Sequence, residues 1–174
     1  MVCCSKKNEL GYQRAVTYFD MPQCHTKYHG EMEYNERAAL LLPDGLFGFE
    51  AETRFLTIEQ PALRPLVFLQ SLTTPDLCFI SLPVLVVDKE YHLAIKGEDL
   101  ESVGLPSDRQ PLIGKDVLCL AIVHIQPGGP TTANLLAPVV VNRQNSKAIQ
   151  AVSLNHNHTH QAALPAPSEE PVCS

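Results

Sequence analysis

The amino-acid sequence predicts an all-β protein, a small antiparallel β-barrel that is closed or partly open and carries one short helix. Three observations favour this class. The 174 residues include fourteen prolines and nine glycines, which divide the chain into short segments. The apolar segments are rich in β-branched residues, as is typical of strands. They also follow one another too closely for the long crossovers that parallel strands need. A two-sheet sandwich of the same eight or nine strands is the alternative.

Three parts can be distinguished along the chain. Residues 1–22 show no clear period and are predicted to be a disordered N-terminal extension, with Met21 as an alternative start. Residues 23–154 hold the strand patterns and form the predicted β-barrel domain. Residues 155–174 contain histidines followed by alanine, proline, serine and glutamate, and are predicted to be a disordered C-terminal tail. The sequence leaves open whether residues 1–20 are translated.

The first half of the domain is predicted to contain strands joined by tight turns. Residues 24–34 alternate loosely and are broken by Gly30, which indicates a hairpin or a bulged strand. Residues 43–45, Pro-Asp-Gly, predict a turn because proline presets one dihedral angle and glycine allows positive φ. The other strands predicted here are 38–42, 54–59, 66–71 and 77–82.

The second half begins with Pro83, which is predicted to end or bulge its strand before the apolar run of residues 84–87 continues as strand. Acidic residues at 98–101 favour a helix N-terminus, and Gly104 is a natural stop. The segment 116–126 is the longest apolar stretch and is predicted to be the central strand. Two further strands are predicted at 131–142, where Pro138 requires an edge or a bulge, and at 147–154.

The net charge of −6 disfavours a direct nucleic-acid partner, because phosphates repel an acidic surface. The acids concentrate in two regions. Residues 31–60 carry seven acids against two arginines, and residues 88–108 carry six acids against two lysines. These regions suit a basic protein partner, and a solvated surface that keeps the protein in solution is the alternative.

Cysteine usage and hydropathy predict a cytoplasmic protein. None of the six cysteines forms a Cys-x-x-Cys pair, and their placement does not resemble a secreted disulfide framework. No apolar run approaches the roughly 18 residues of a membrane span. The first twenty residues also lack the apolar core of a signal peptide.

Motifs for catalysis are absent from the sequence, which predicts a protein that is not an enzyme and needs no cofactor. There is no Gly-x-Ser-x-Gly elbow, no P-loop and no Gly-x-Gly-x-x-Gly. His156, His158 and His160 alternate and would share one face of an extended chain, where they could meet a metal ion. Because a real metal site needs a rigid frame, adventitious binding is the favoured interpretation. A β-barrel that binds a small ligand or a metal remains the alternative function.

Several motifs together resemble the bacterial FliW family of flagellar assembly factors. Residues 43–50, PDGLFGFE, are similar to a family element, and residues 69–71, LQS, follow in family order. Residues 132–138, TANLLAP, continue the resemblance, which spans residues 24–154. Phe47 departs from it, since the family usually has proline there, and the histidines after Leu154 replace the family's usual ending. Further matching positions are Pro75, Leu77, Phe79, Pro83, Tyr91, Val141, Asn142 and Gln150.

The resemblance implies a partner switch without enzymatic activity. Members bind the translational repressor CsrA away from its RNA-binding surface and so relieve repression of flagellin mRNA. They also bind flagellin, which then frees CsrA to repress again. The implied protein is cytoplasmic and a monomer by itself, with no direct contact to nucleic acid or membrane.

Two groups of residues are candidates for partner contact. A barrel corner whose asparagine bonds the backbone is the favoured interpretation of the first group, and a solvated helix start is the alternative for the second. The first marks irregular points of strands, where a sheet rim can recognise another chain. The second is the densest acidic cluster, which suits a basic partner. The first group is Pro83, Asn134, Leu135 and Pro138, and the second is Glu98, Asp99 and Glu101.

Overall fold

The computed structural model describes residues 21–164, and most of their regular structure is β. A hairpin of β1 (Gln23–Thr26) and β2 (Gly30–Glu33) stands apart from one large sheet. Gly30 has φ of +71°, as the predicted hairpin requires. The sheet contains β3 (Leu40–Leu41), β4 (Arg54–Glu59), β5 (Val67–Ser71), β6 (Cys78–Pro83), β7 (Val117–His124), β8 (Thr132–Ala133), β9 (Val139–Asn142), β10 (Ala148–Gln150) and β11 (Ala162–Ala163).

The strand ladders of this sheet are antiparallel, in the order β10-β9-β7-β6-β5-β4-β3, with β8 and β11 joined through β7. One isolated parallel bridge links Leu41 to Lys147. The sheet is not closed into a continuous ladder. The two ends of the sheet nevertheless lie close together near β3 and β10, where the Leu41 N–H donates to the Ser146 carbonyl at 3.0 Å. The predicted all-β class is confirmed, in its partly open form.

Strand β7 is the centre of the sheet, as the sequence predicted for residues 116–126. It pairs with β6 on one side, and with β9 and β8 on the other. Both faces of β7 are covered, because Val117, Cys119 and Ala121 point into one hydrophobic cluster and Leu120 into another. Burial raises the pKa of the Cys119 thiol to about 12, so this cysteine stays protonated and acts as a small apolar side chain.

The two hydrophobic clusters lie on opposite faces of β7 and β9. One fills the curve of the sheet and includes Phe55, Leu69 and Val139. The other lies outside the sheet, beneath the predicted helix, observed as α2 (Gly97–Ser102). Within residues 21–164, no helix is long and apolar enough to cross a membrane.

A one-turn helix, α1 (Val84–Val87), replaces the strand predicted for residues 84–87. Pro83 explains the change. Its φ of −54° and its missing N–H end the ladder of β6, and the Asp88 N–H then closes a helical turn on the Val84 carbonyl at 2.9 Å. A short apolar run fits a buried strand and a buried helix equally well, so the hydropathy of residues 84–87 does not distinguish the two.

Residues 131–142 form two strands rather than one. Leu120 of β7 faces Val139, and Val123 faces Ala133. The five residues 134–138 therefore lie opposite only two residues of β7, so they form a large bulge. Pro138 lies in this bulge, where its missing N–H breaks no ladder bond.

The ordered domain extends beyond the boundary predicted at residue 154. Residues 155–164 run back over the sheet and end in β11, which pairs with β8. Their order comes from backbone and side-chain bonds to the bulge, which a polar composition does not reveal. The predicted extension before residue 21 and the tail after residue 164 lie outside the described residues.

Candidate functional site

The acidic cluster lies on α2, where Leu100 is fully buried and anchors the helix. Glu98 and Glu101 are exposed and Asp99 is half-exposed. Lys96 Nζ lies 3.2 Å from Glu98 Oε1, but both side chains are well exposed, so this pair is weak. The helix thus presents Asp99 and Glu101 to solvent as charges without a salt bridge among the described residues.

The other predicted contact residues lie deeper. Leu135 is 5% exposed and Pro138 is also buried. Pro83 is half-buried and faces Leu120 at the end of an interior strand. Asn134 is half-buried, and its Oδ1 accepts the Ala137 N–H at 2.9 Å. These four residues therefore do not lie on α2 with the acids. Because they are buried or half-buried, the bulge offers a partner little apolar surface.

Residues 150–159 hold the bulge in place. The Leu135 and Leu136 N–H groups donate to the Thr159 carbonyl at 3.0 and 3.1 Å, and the Ser153 N–H donates to the Leu136 carbonyl at 2.7 Å. From the other side, the Tyr91 hydroxyl donates to the Leu135 carbonyl at 3.2 Å. These bonds satisfy the backbone groups that leave the β7 ladder.

His158 fastens the same segment. Its ring stacks on Tyr91 with centroids 4.2 Å apart. Its Nδ1 lies 2.7 Å from Ser153 Oγ, and its Nε2 lies 3.2 Å from Asn155 Nδ2. Since Asn155 Nδ2 can only donate, Nε2 accepts and the imidazole is neutral. Burial is the largest influence on His158 and lowers its pKa. The charge of nearby Asp88 raises this pKa, and His92 lowers it further.

Stability is expected to fall as pH decreases below about 6.5, the ordinary pKa of histidine. The unfolded chain takes up a proton at His158 before the folded protein does, so acidification favours unfolding until the lower folded pKa is passed. Urea unfolding midpoints at pH 7.5 and 5.5 measure this effect. We expect a smaller decrease for His158→Gln than for the wild type, while exposed His156→Gln should behave as the wild type. Equal pH dependence in all three proteins would contradict the expectation.

An open groove of about 340 Å³ lies where β7 ends, and we call it the Phe47 groove. Phe47 is 57% exposed and Phe49 is 41% exposed, although backbone hydrogen bonds close the turn that carries both. Phe49 packs edge-on against Phe79, with ring centroids 5.0 Å apart. The walls of the Phe47 groove are Leu46, Phe47, Phe79, Ile122, Val123, His124, Asn134, Gln150 and His160.

Backbone bonds fix the turn that presents Phe47. The Phe49 N–H donates to the Leu46 carbonyl at 2.7 Å, and Leu46 itself is only 1% exposed. The Phe47 N–H donates to Gln150 Oε1 at 2.8 Å. Gln150 Nε2 in turn donates to the Ala137 carbonyl at 3.1 Å, so one side chain joins the turn to the bulge.

The amide side chains of Gln70 and Asn142 also join separate parts of the backbone. The sequence patterns did not predict these bonds. Gln70 Nε2 lies 3.0 to 3.2 Å from three carbonyls of residues 71–77. Asn142 Nδ2 donates to the Val103 carbonyl at 2.9 Å, which ties β9 to the end of α2. The signal available in the sequence was the presence of amides inside apolar strand patterns, where an unpaired polar group is costly.

The geometry gives little support to the alternative function, a β-barrel that binds a small ligand or a metal. Residues 21–164 contain no group of three histidine, cysteine or acidic side chains that could hold a metal ion. His158 faces Tyr91, whereas His156 and His160 are exposed. Cys78 Sγ lies 4.0 Å from His29 Nε2, but burial raises the pKa of this thiol, which is the opposite of an activated nucleophile.

Comparison with known proteins gives one consistent family. A family model described as FliW protein matches residues 23–164. The chain is 34% identical over 135 residues to the flagellar assembly factor FliW of Leptospira biflexa serovar Patoc, across 78% of this chain and 86% of that protein. It is 33% identical over 136 residues to flagellar assembly factor FliW of Bacillus subtilis strain 168, across 78% of this chain and 91% of that protein.

A solved structure has the same fold. The crystal structure of a flagellar assembly factor FliW superposes with a TM-score of 0.70 at 28% sequence identity, across 83% of this chain and 97% of that one. The family match also includes residues 155–164, the segment that carries His158 and β11.

Proposed function

Because the chain belongs to the FliW family, we propose that it is a flagellar assembly factor that works by binding proteins and not by catalysis. It binds the translational repressor CsrA and relieves the repression of flagellin translation. Newly made flagellin binds this protein in turn and frees CsrA to repress again. The family match over residues 23–164 is the observation that carries the proposal.

The charge distribution supports a basic partner such as an RNA-binding repressor. With a net charge of −6, the protein does not compete for RNA phosphates, but it attracts the basic surface of a protein that binds them. Asp99 and Glu101 on α2 are the most suitable contacts, since neither forms a salt bridge among the described residues. We place this exchange in the cytoplasm, with the protein as a monomer before it meets a partner.

Co-purification tests the proposal. The tagged protein is expressed in its flagellated host, once during flagellin synthesis and once with the flagellin gene deleted. CsrA should be recovered in both, and more of it when flagellin is missing. Recovery of neither CsrA nor flagellin would contradict the partner switch.

Charge reversal on α2 is expected to slow CsrA association. Asp99→Lys with Glu101→Lys should reduce the association rate on the order of tenfold at low salt, because steering by opposite charges is lost. The dissociation rate should change less, and the difference should shrink at high salt. Surface plasmon resonance measures both rates.

The matched control places the same charge change on the hairpin. Glu31 and Glu33 are exposed on β2, away from α2, and Glu31→Lys with Glu33→Lys alters the net charge equally. If both double variants slow association to the same extent, net charge and not the α2 surface sets the rate.

A further inference from the structure

The sheet splits where β6 and β7 separate, and the Phe47 groove lies in this split. The ladder between the two strands ends at the pair of Ser81 and Ile122. Beyond this pair, β6 continues over residues 78–80 and is paired there only with β5, while β7 continues over residues 123–124 and is paired there only with β8. Since Phe79 of β6 lines the groove together with residues of β7, the groove is a gap between two strands of one sheet.

The alternation of hydrogen bonds shows which backbone groups face the split. Pro83 has no N–H, so its pair with β7 is of the non-hydrogen-bonded kind. Because successive pairs alternate, the N–H and C=O of Leu82 point towards β7, and so do those of Cys78, four residues away. The Leu77 carbonyl points the other way and accepts the Ser71 N–H of β5 at 3.0 Å. Cys78 therefore directs a donor and an acceptor into the split, where residues 21–164 provide no ladder partner for it.

An extended segment is the occupant that can pair with these two groups. A strand laid beside β6 would accept the Cys78 N–H and donate to the Cys78 carbonyl, as added strands do at an open sheet edge. A helix has already used its own backbone groups and would leave both groups of Cys78 without a partner. The open backbone of β6 thus favours an extended chain over a helical one.

The side chains of the groove favour apolar residues in this segment. Phe79 and Ile122 are half-buried and pack on the hydrophobic cluster inside the curve of the sheet. Leu46 also lines the groove and is only 1% exposed. Successive side chains of a strand point to opposite sides, so every second residue of the bound segment would face these apolar walls.

The polar groups of the walls restrict the occupant further. The groove is lined by no lysine, arginine, aspartate or glutamate among the described residues, so a charged side chain would lose water there without meeting an opposite charge. Asn134 Oδ1 already accepts the Ala137 N–H, and both ends of the Gln150 amide are paired. A small polar ligand would therefore find few free groups, and the inward side chains of the segment should be uncharged.

We propose that the split between β6 and β7 binds an extended segment of a protein partner, which pairs with the backbone of Cys78 and places uncharged apolar side chains against Phe79 and Ile122. The assignment deepens the proposed function, on which it rests, by giving one partner of the switch a site distinct from the acids of α2.

Cys78→Pro and Cys78→Ser are the matched pair of variants. Proline removes the N–H that faces the split, whereas serine keeps it. The ladder to β5 uses the backbone groups of the neighbouring residues, among them the Leu77 carbonyl, so it is intact in both variants. Circular dichroism and urea unfolding check that both proteins are folded.

A short peptide of alternating threonine and valine with blocked ends is the probe. Added to the full-length ¹⁵N-labelled protein, it should shift the amide signals of residues 78–80 and 122–124. Cys78→Pro should bind it at least about tenfold more weakly than Cys78→Ser, because the acceptor of the peptide loses its donor. Lysine in place of both valines should abolish binding to the wild type, whereas lysine in place of the threonines should not.

Shifts elsewhere, equal binding to the two variants, or equal loss with either lysine peptide would overturn the assignment. The lysine peptides need only the wild type, so they decide the question even where Cys78→Pro unfolds. Sedimentation of the wild type is measured beside them. A dimer that forms with the same amide shifts would give the split to a second copy of this chain and overturn the partner segment.

A second measurement separates this inference from the proposed function. Purified CsrA and flagellin are each titrated onto the Cys78→Pro and Cys78→Ser variants and the wild type. We expect at least one of them to bind Cys78→Pro about tenfold more weakly than Cys78→Ser. Equal binding of both proteins to the two variants would overturn the split as a partner site while leaving the partner switch intact. Binding of neither protein to the wild type, with the peptide still mapped to the split, would reject the switch and support the split.

Discussion

Alanine at position 45 is expected to destabilise the protein by about 2–4 kcal/mol, because the chain has no room for a Cβ atom there. A Cβ built on Gly45 would lie 2.5 Å from the Phe49 carbonyl oxygen and 2.7 Å from the Glu50 Cα. Both are backbone atoms, so the whole turn must move. The φ of +65° adds strain of about 1–2 kcal/mol. Urea unfolding followed by circular dichroism measures the loss.

Gly48 provides the matched control within the same turn. Its φ is +82°, but a Cβ at this position would meet no atom within 4 Å, so Gly48→Ala should lose only the strain of about 1–2 kcal/mol. Equal losses for the two variants would mean that backbone conformation alone, and not the contact with Phe49 and Glu50, makes glycine necessary at position 45.

Gln150→Met is expected to lower the free energy of unfolding by about 2–4 kcal/mol, although methionine has nearly the same size. The change leaves the Phe47 N–H and the Ala137 carbonyl without their partner. Gln150 is 7% exposed, so water replaces these bonds poorly. Because Gln150 Oε1 accepts the Phe47 N–H, hydrogen exchange at the Phe47 amide should also accelerate.

Gln144→Met tests whether methionine itself is harmful. Gln144 is exposed in the turn after β9, and its side chain makes no hydrogen bond among those of the described residues. Its unfolding free energy should change by less than about 0.5 kcal/mol. A Gln150→Met protein as stable as Gln144→Met would show that the bridge between turn and bulge contributes little.

Local patterns predicted those parts of the fold that local physics determines. Residues 54–59 were predicted as a strand with the observed bounds of β4, because alternation and β-branching are properties of the segment itself. The same holds for the turn at residues 43–45 and for the helix near residues 98–101, where proline, glycine and acidic residues act on their own backbone. Motif order then led to the FliW family, which the comparisons support.

The candidate sites were only partly predictable. Asp99 and Glu101 stand out as charges in the sequence, and they lie on the surface of α2. The motif containing Asn134, Leu135 and Pro138 also stood out, but it forms a bulge whose backbone is paired with residues 151–159. His158 looked like part of a polar tail, and its stacking on Tyr91 depends on a contact across 67 positions of the chain.

Periodicity, turn chemistry and motif order were thus enough to predict the all-β class, most strand positions along the chain and the family. Three features were not predictable in this way: residues 84–87 form a helix, residues 134–138 form a bulge, and residues 155–164 pack on the sheet. The position of Phe47 at the rim of a groove was not predictable either. The bulge and the return of residues 155–164 depend on backbone groups that lie far apart in the chain, and their proximity exists only once the sheet has assembled.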